Sequence, residues 1–355
     1  MKRTKRIICM LLCVLTLLSG TALALSDAAL SDAVSGTAEY ICKTVTEPSL
    51  SSVGGEWAVL GLARSGYAVP DGYFRRYYSA VEEYVEACSG VLSGNKYTEY
   101  SRVIIALSAI GADAENVAGY DLIRPLGDYD KTVRQGINGP IFALIALDSR
   151  DYPMPENSDA KTQASRQMYI DYILSRQLPG GGWSLSPTDT EADADVTGMA
   201  LCALAGYRQL PEVSKAVNAA LSRMSLQQTK TGGFASHGVE NAESCAQMIT
   251  ALCELGIPLT DTRFVKNGST VLDCLMTYRT ENGGFCHVQG GAVNQMSTEQ
   301  ALYALAAAKR QTDGQNALYD LSDAQSMLSG KSGTDAMKYV PAAIAFSLLI
   351  FAKAV

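Results

Sequence analysis

The side chains with the types and spacing to do chemistry stand at the starts of the chain's small-residue apolar segments. Asp193 and Asp195 precede TGMALCALAGY, Glu243 and Gln247 flank Cys245 in ESCAQMITALCEL, and Glu299 and Gln300 open EQALYALAAA. Glu56 and Trp57 stand before AVLGLARSG, Tyr100 before SRVIIALSAIG, and Asn138 before GPIFALIALDS. A carboxylate in a helix's first turn caps free N–H groups and meets the positive end of the dipole. Polar side chains gathered where several helices begin also form a concave mouth for a small or extended ligand. Both roles are open for these ten residues.

The segments that must position them repeat. Gln177–Tyr207, Gln228–Leu255 and Arg279–Leu305 share one order: a Gly-Gly turn with an aromatic, a polar loop, then an apolar helix. With Thr197, Cys245 and Thr298 as position zero, Leu204, Leu252 and Leu305 all fall at plus seven, and Asp195 and Glu243 at minus two. The zeros are 48 and 53 residues apart, a period at which each unit buries its apolar face against its neighbours. Tyr100 and Pro140 fit position zero in two earlier, weaker copies, and proline is tolerated in a helix's first turn.

Six apolar helices are predicted, beginning near residues 56, 99, 139, 195, 243 and 296. Each follows a more amphipathic helix: 25–46, 70–91, 116–125, 159–176, 211–227 and 267–278. No stretch alternates with period two, so the predicted fold is all-α. Apolar helices buried all round form an inner ring and amphipathic ones an outer ring, which is an α/α toroid, an α6/α6 barrel.

With 29 basic and 36 acidic residues among 355, the chain has none of the clustered positive charge of a nucleic-acid binder. Lys2, Arg3, Lys5 and Arg6, the apolar run 7–18 and Ala22-Leu23-Ala24 read as an export signal over 1–24. The toroid is then expected over 25–329 and a linker over 330–338. The apolar stretch 339–355 is expected as a packed terminal helix or a short membrane anchor; it is shorter than a full span of about 20 residues. The expected location is secreted or on the outer face of the cell membrane. Seven cysteines remain after the signal, an odd number that argues against a fully paired disulfide framework. Cys202, Cys245 and Cys253 fall in alanine-like slots, as small buried hydrophobes do.

Gln177-x3-Gly181-x-Trp183 resembles the QW motif of squalene and oxidosqualene cyclases. Gln228-x3-Gly232-x-Phe234 repeats it with Phe for Trp, and a third copy keeps Gly283 and Phe285 but has Arg279 for Gln. The chain thus resembles the prenyltransferase/squalene-hopene cyclase repeat superfamily, most closely its small exported versions in Gram-positive bacteria. The resemblance is strongest over 160–310 and implies the same α6/α6 toroid. It also implies an acid site: class II cyclases of this superfamily protonate an alkene or epoxide with the middle Asp of DxDD. The matching stretch is Asp193-Ala194-Asp195-Val196, where Val196 replaces the last Asp. Protein prenyltransferase subunits of the superfamily hold zinc through Asp, Cys and His. Here His237 and His287 are the only histidines and Asp273-Cys274 lacks the family's spacing, so no metal and no cofactor are expected.

Triterpene cyclases build their cavity between two barrels, and this chain has material for one. The primary expectation is therefore an exported or surface-held binding module that grips a small molecule, peptide or glycan at the mouth. The alternative is a terpene cyclase- or prenyltransferase-type enzyme using Asp193 or Asp195 as acid.

Overall fold

In the computed structural model the described residues are 25–328. The readings over 1–24, 330–338 and 339–355 lie outside them. Twelve α-helices carry the fold among these residues: α1 (Asp27–Thr44), α2 (Trp57–Ser65), α3 (Tyr73–Ala87), α4 (Thr98–Ala109), α5 (Tyr129–Thr132), α6 (Asn138–Asp148), α7 (Arg166–Ser175), α8 (Ala194–Leu204), α9 (Pro211–Gln227), α10 (Ala242–Glu254), α11 (Val271–Met276) and α12 (Gln295–Thr312). The even-numbered helices pack in sequence, α2 on α4, α4 on α6, and so on to α10 on α12, and α12 packs back on α2. The ring is closed. Nearly every residue of α4, α8 and α10 is buried, as an inner position requires. The odd-numbered helices cover the ring; α3, for example, buries only Tyr73, Phe74, Tyr77, Val81 and Val85.

The Gly–aromatic turns join the outer helices. Gly181, Gly232 and Gly283 all have left-handed φ, at +86°, +90° and +93°. A Cβ there would lie 2.5 Å from Ala219 O in α9, 2.7 Å from Thr270 O before α11, and 2.5 Å from Gly36 O in α1. Each turn thus presses bare backbone against the next outer helix, which only glycine permits, and the third closes the outer layer onto its first helix. Trp183, Phe234 and Phe285 fill the junctions, all fully buried. Gln177 Nε2 donates to Ala216 O in α9 (2.8 Å), and Gln228 Nε2 to Phe264 O (2.8 Å). Arg279, in the Gln position of the third copy, reaches Asp32 in α1. At position zero, Thr197 and Thr298 accept from the backbone N–H of Trp183 and Phe285, both at 2.9 Å.

Several outer helices are shorter than their periodicity predicts. Residues 116–123 form no helix, with Ala118 and Gly119 both left-handed; Arg124–Gly127 is a 3-10 turn, and the third outer helix is the four-residue α5. The fourth begins at Arg166, where Ser165 caps it by accepting from Met168 N. The sixth begins only after the left-handed pair Asn267-Gly268, behind a Thr270–Asp273 capping box. One small hairpin departs from the all-α reading: β1 (Ala235–Ser236) pairs antiparallel with β2 (Val239–Glu240). His237 and Gly238 both take positive φ at its tip, as a two-residue hairpin turn demands.

Beyond α12, residues 313–328 cross the C-terminal end of the ring. Leu321 N donates to Ser149 O after α6, Met327 N to Ile110 O after α4, and Tyr319 N to Glu254 in α10. Arg64 of α2 and Arg310 of α12 both bind Asp323, each at 2.6 Å. No helix among the described residues is long and apolar enough to cross a membrane.

Candidate functional site

The N-terminal ends of the inner helices meet at the opposite end. Gly54, just before α2, donates its N–H to Glu299 of α12 (2.9 Å). Ser297 of α12 donates to Glu243 of α10 (2.6 Å).

Asp193 caps α8. Its Oδ1 accepts from the N–H groups of Asp195 and Val196 (2.9 and 3.0 Å), and its Oδ2 accepts from Ser236 Oγ of the hairpin (2.5 Å). Both of its oxygens are therefore engaged. Asp195, in the first turn, differs. Its Oδ1 is closed off from solvent and has only Oγ of Ser244 in α10, equally closed off, nearby, outside ordinary hydrogen-bond geometry. Burial pushes the Asp195 carboxyl up to about 7, reinforced by the charges of Asp193 and Glu243 and opposed by Ser244 and His237. A carboxyl in that range keeps its proton in about half of the molecules at neutral pH and is able to give it away.

Across the ring stand two more such groups. Glu299 is fully buried; its Oε1 accepts from Gly54 N and from Gln295 Nε2 (2.7 Å), while Oε2 is unpartnered. Glu56, before α2, is buried against Arg102 Nε at 3.4 Å. Burial pushes both up to about 7, with Arg102 pulling Glu56 back and Gln295 and Gly54 pulling Glu299 back. An aromatic cluster stands at the same end of the ring. Trp57 lies 5.8 Å from Phe142 and 6.0 Å from Tyr303, centroid to centroid. These rings come from α2, α6 and α12, and α2 and α6 are not ring neighbours, so they meet across the centre. Gln247 Nε2 donates to Tyr303 Oη (2.7 Å) and to Gln300 Oε1 (3.3 Å).

The structure thus brings Glu56, Trp57, Asp193, Asp195, Glu243, Gln247, Glu299 and Gln300 to one end. Asn138 stands at the start of α6 with a buried, unpartnered Oδ1. Tyr100 is turned away: its ring lies tilted against Tyr97 at 5.2 Å with its hydroxyl toward the backbone of Ser93 and Leu92. Position zero faces the outer layer, as Thr197 and Thr298 do. Sequence reading missed the hairpin that carries Ser236 to Asp193, and it missed Phe142 and Tyr303, which look like ordinary core residues of their helices. The His237-Gly238 pair was the available signal for the hairpin. Two surface hollows of about 490 and 410 Å³ lie elsewhere, against Gln177–Gly180 and Asp189 and against Glu156–Ser158 and Gln163. Neither is lined by any of these buried carboxyls, so chemistry favours the mouth over size. Among the described residues no group of three or more His, Cys, Asp and Glu is placed to hold a metal ion.

No family model matches the chain, and no curated protein does. Solved structures do. The type II terpene cyclase MstE from Scytonema superposes with a TM-score of 0.54 over 81% of this chain and 99% of that one, at 13% identity. Its D109A variant in complex with merosterolic acid A (product) gives 0.52 over 80% and 97%, at 12% identity. A polysaccharide lyase, BACCELL_00875, gives 0.52 over 81% and 98%, at 13% identity. The chain has a terpenoid cyclase-like α/α toroid fold.

Proposed function

We propose that this toroid is an enzyme of the terpene cyclase type, in which Asp195 protonates a carbon–carbon double bond of an apolar substrate held at the mouth. The observation that carries the reading is the Asp195 carboxyl itself: half-buried with its Oδ1 enclosed against Ser244, and pushed up to about 7. Protonating an alkene leaves a carbocation, which needs a dry site and electron-rich faces. The Trp57–Phe142–Tyr303 cluster supplies such faces, since aromatic rings attract cations through their quadrupole. Asp193 is held by three hydrogen bonds, and its charge keeps the Asp195 proton in place until substrate arrives. Val196 stands where a further acid is expected from the resemblance. In this reading the environment of Asp195 is completed by Glu243 instead. The likeness to a type II terpene cyclase over almost that protein's whole length favours this reading over a binding module without turnover.

The test is product analysis of the purified chain with farnesyl diphosphate, geranylgeranyl diphosphate and squalene. Cyclised product from wild type and none from Asp195→Asn supports the reading. Binding of a probe without turnover returns the protein to the binding-module class. Formation of an unsaturated uronide from an acidic polysaccharide, with no terpenoid product, assigns the mouth to lyase chemistry.

A further inference from the structure

Cys245 occupies in α10 the position that Thr197 and Thr298 hold in the neighbouring repeats. There the threonine hydroxyl staples the inner helix to the aromatic turn. Cys245 keeps a contact with the Phe234 backbone N–H, and its thiol takes a second partner: its Sγ lies 4.0 Å from Sγ of Cys274 in α11. Cys274 Sγ lies in turn 3.5 Å from Glu240 Oε1. A Cβ on Gly233 would come within 2.5 Å of the same sulfur, so the bare turn holds the space in which the two sulfurs face each other. The thiols are unequal. The Cys245 S–H bond holds Cys274 below the usual thiol range, while Cys245 is pushed well above it, first by its bond to Cys274 and then by burial. Both residues are buried, so an oxidant reaches Cys274 when this part of the chain opens locally; there the pair is an attacking thiol beside a resolving one.

We propose that Cys245 and Cys274 are a redox-active pair that closes to a disulfide, tying inner helix α10 to outer helix α11. Closing it requires the sulfurs to approach by roughly 2 Å, a side-chain rotation in scale. The oxidant is a disulfide, either a small molecule or an oxidised thiol–disulfide oxidoreductase. The Cys274 thiolate attacks one sulfur of it, forming a mixed disulfide and releasing one thiolate. Cys245 then gives up its proton and attacks Cys274 Sγ, breaking the mixed disulfide and releasing the second thiolate. Two protein thiols are oxidised by two electrons, one disulfide is reduced to two thiols, and the protons lost from the cysteines end on those thiols. Because α10 carries Glu243 and Gln247, the bond anchors one wall of the mouth. The pair stands independently of any assignment of chemistry to Asp195.

The experiment uses the full chain and oxidised glutathione. The protein is incubated with it, quenched in acid, alkylated with N-ethylmaleimide under denaturing conditions without reductant, digested and mass-mapped. The expected result is one cross-linked peptide pair joining residues 245 and 274, about 2 Da lighter than the sum of its reduced parts. Cys42, Cys88, Cys202, Cys253 and Cys286 are expected alkylated, as are Cys9 and Cys13 where residues 1–24 are retained. In Cys245→Ser the reaction stops one step earlier, with Cys274 carrying glutathione. Recovery of both Cys245 and Cys274 alkylated from wild type overturns the proposal, as does a linkage joining either to another cysteine. The wild-type map decides the matter even where the variant does not fold.

Discussion

Oε2 of Glu243 lies 2.8 Å from Nδ1 of His287, while its Oε1 accepts from Ser297. A buried carboxyl on α10 is thereby tied both to the loop after the third Gly–aromatic turn and to α12. Its charge is also one of the influences that raise Asp195. Replacing Glu243 by Gln keeps the shape and removes that charge. Asp195 is then expected to titrate at lower pH, by about half a pH unit, the size of a modest Coulomb contribution. Carbon-13 NMR of carboxyl-labelled Asp reads this directly, without a substrate. An unchanged Asp195 titration would show that Glu243 does not act on it.

Asp195 also sets a pH dependence of stability. Its folded-state pKa is raised from 3.8 to about 7, so the folded protein holds that proton more tightly than the unfolded chain does. The stability this gives is complete below about 4 and is lost as pH rises through about 7. Glu56, Glu299 and Glu254 are raised to about 7 as well, each chiefly by burial, and they add the same sign over the same window. The toroid is therefore expected to melt at higher temperature near pH 5 than near pH 8. Asp195→Asn removes one share of that loss. At pH 8 the variant should be more stable than wild type by on the order of 2 kcal/mol, with little difference at pH 4. Thermal melts at the two pH values check it. On the reading proposed above, the same variant forms no product, so stability and activity change in opposite directions.

The glycine turns give a test of ring closure. Gly283→Ala forces a Cβ to within 2.5 Å of Gly36 O at a φ of +93°, a backbone clash added to a strained conformation. Gly268→Ala, at φ +82° with nothing within 4 Å, carries the strain alone. The expected cost is about 1 kcal/mol for Gly268→Ala and about 3 kcal/mol or more for Gly283→Ala. Denaturant melts compare them. Equal costs would mean that the contact between the third turn and α1 is soft.

The ring was legible in the sequence because its signal is redundant. Three copies share one register, and Leu204, Leu252 and Leu305 fall at the same place in each. The outer helices were less legible. Their ends are set by left-handed residues such as Ala118 and Asn267, which interrupt an amphipathic pattern without changing it. The first-turn polar residues were read as a group, but their inequality was not. Asp193 and Asp195 are two residues apart, yet one has both oxygens engaged and the other keeps an unpartnered oxygen. That difference comes from Ser236, 43 residues on, and from packing between α8 and α10, and neither leaves a local pattern. The aromatic cluster was hidden for the same reason: Trp57, Phe142 and Tyr303 meet only once the ring closes.

The segment 313–328 supplies a last prediction. Arg64 is almost fully buried and spends its guanidinium on this segment. Nη1 binds Asp323 Oδ1 at 2.6 Å, and Nη2 donates to Ala317 O and Asp320 O, both at 2.9 Å. Arg310 holds the other oxygen of Asp323. Replacing Arg64 by Ala leaves two carbonyls and half of a carboxylate without their donor and opens a gap at the end of α2. Asp323 is exposed, so water takes over its side of the pair, and the loss is set mainly by the two carbonyls and the gap left at Arg64, about 1–3 kcal/mol, part of which the protein can avoid by releasing the segment. Limited proteolysis is then expected to cut Arg64→Ala between 313 and 328 while the ring 25–312 stays resistant, and wild type should resist throughout. Arg310→Ala leaves Arg64 in place and should release the segment less. If Arg64→Ala instead loses resistance throughout the ring, the segment is an integral part of the core and not a strap laid across a ring already complete.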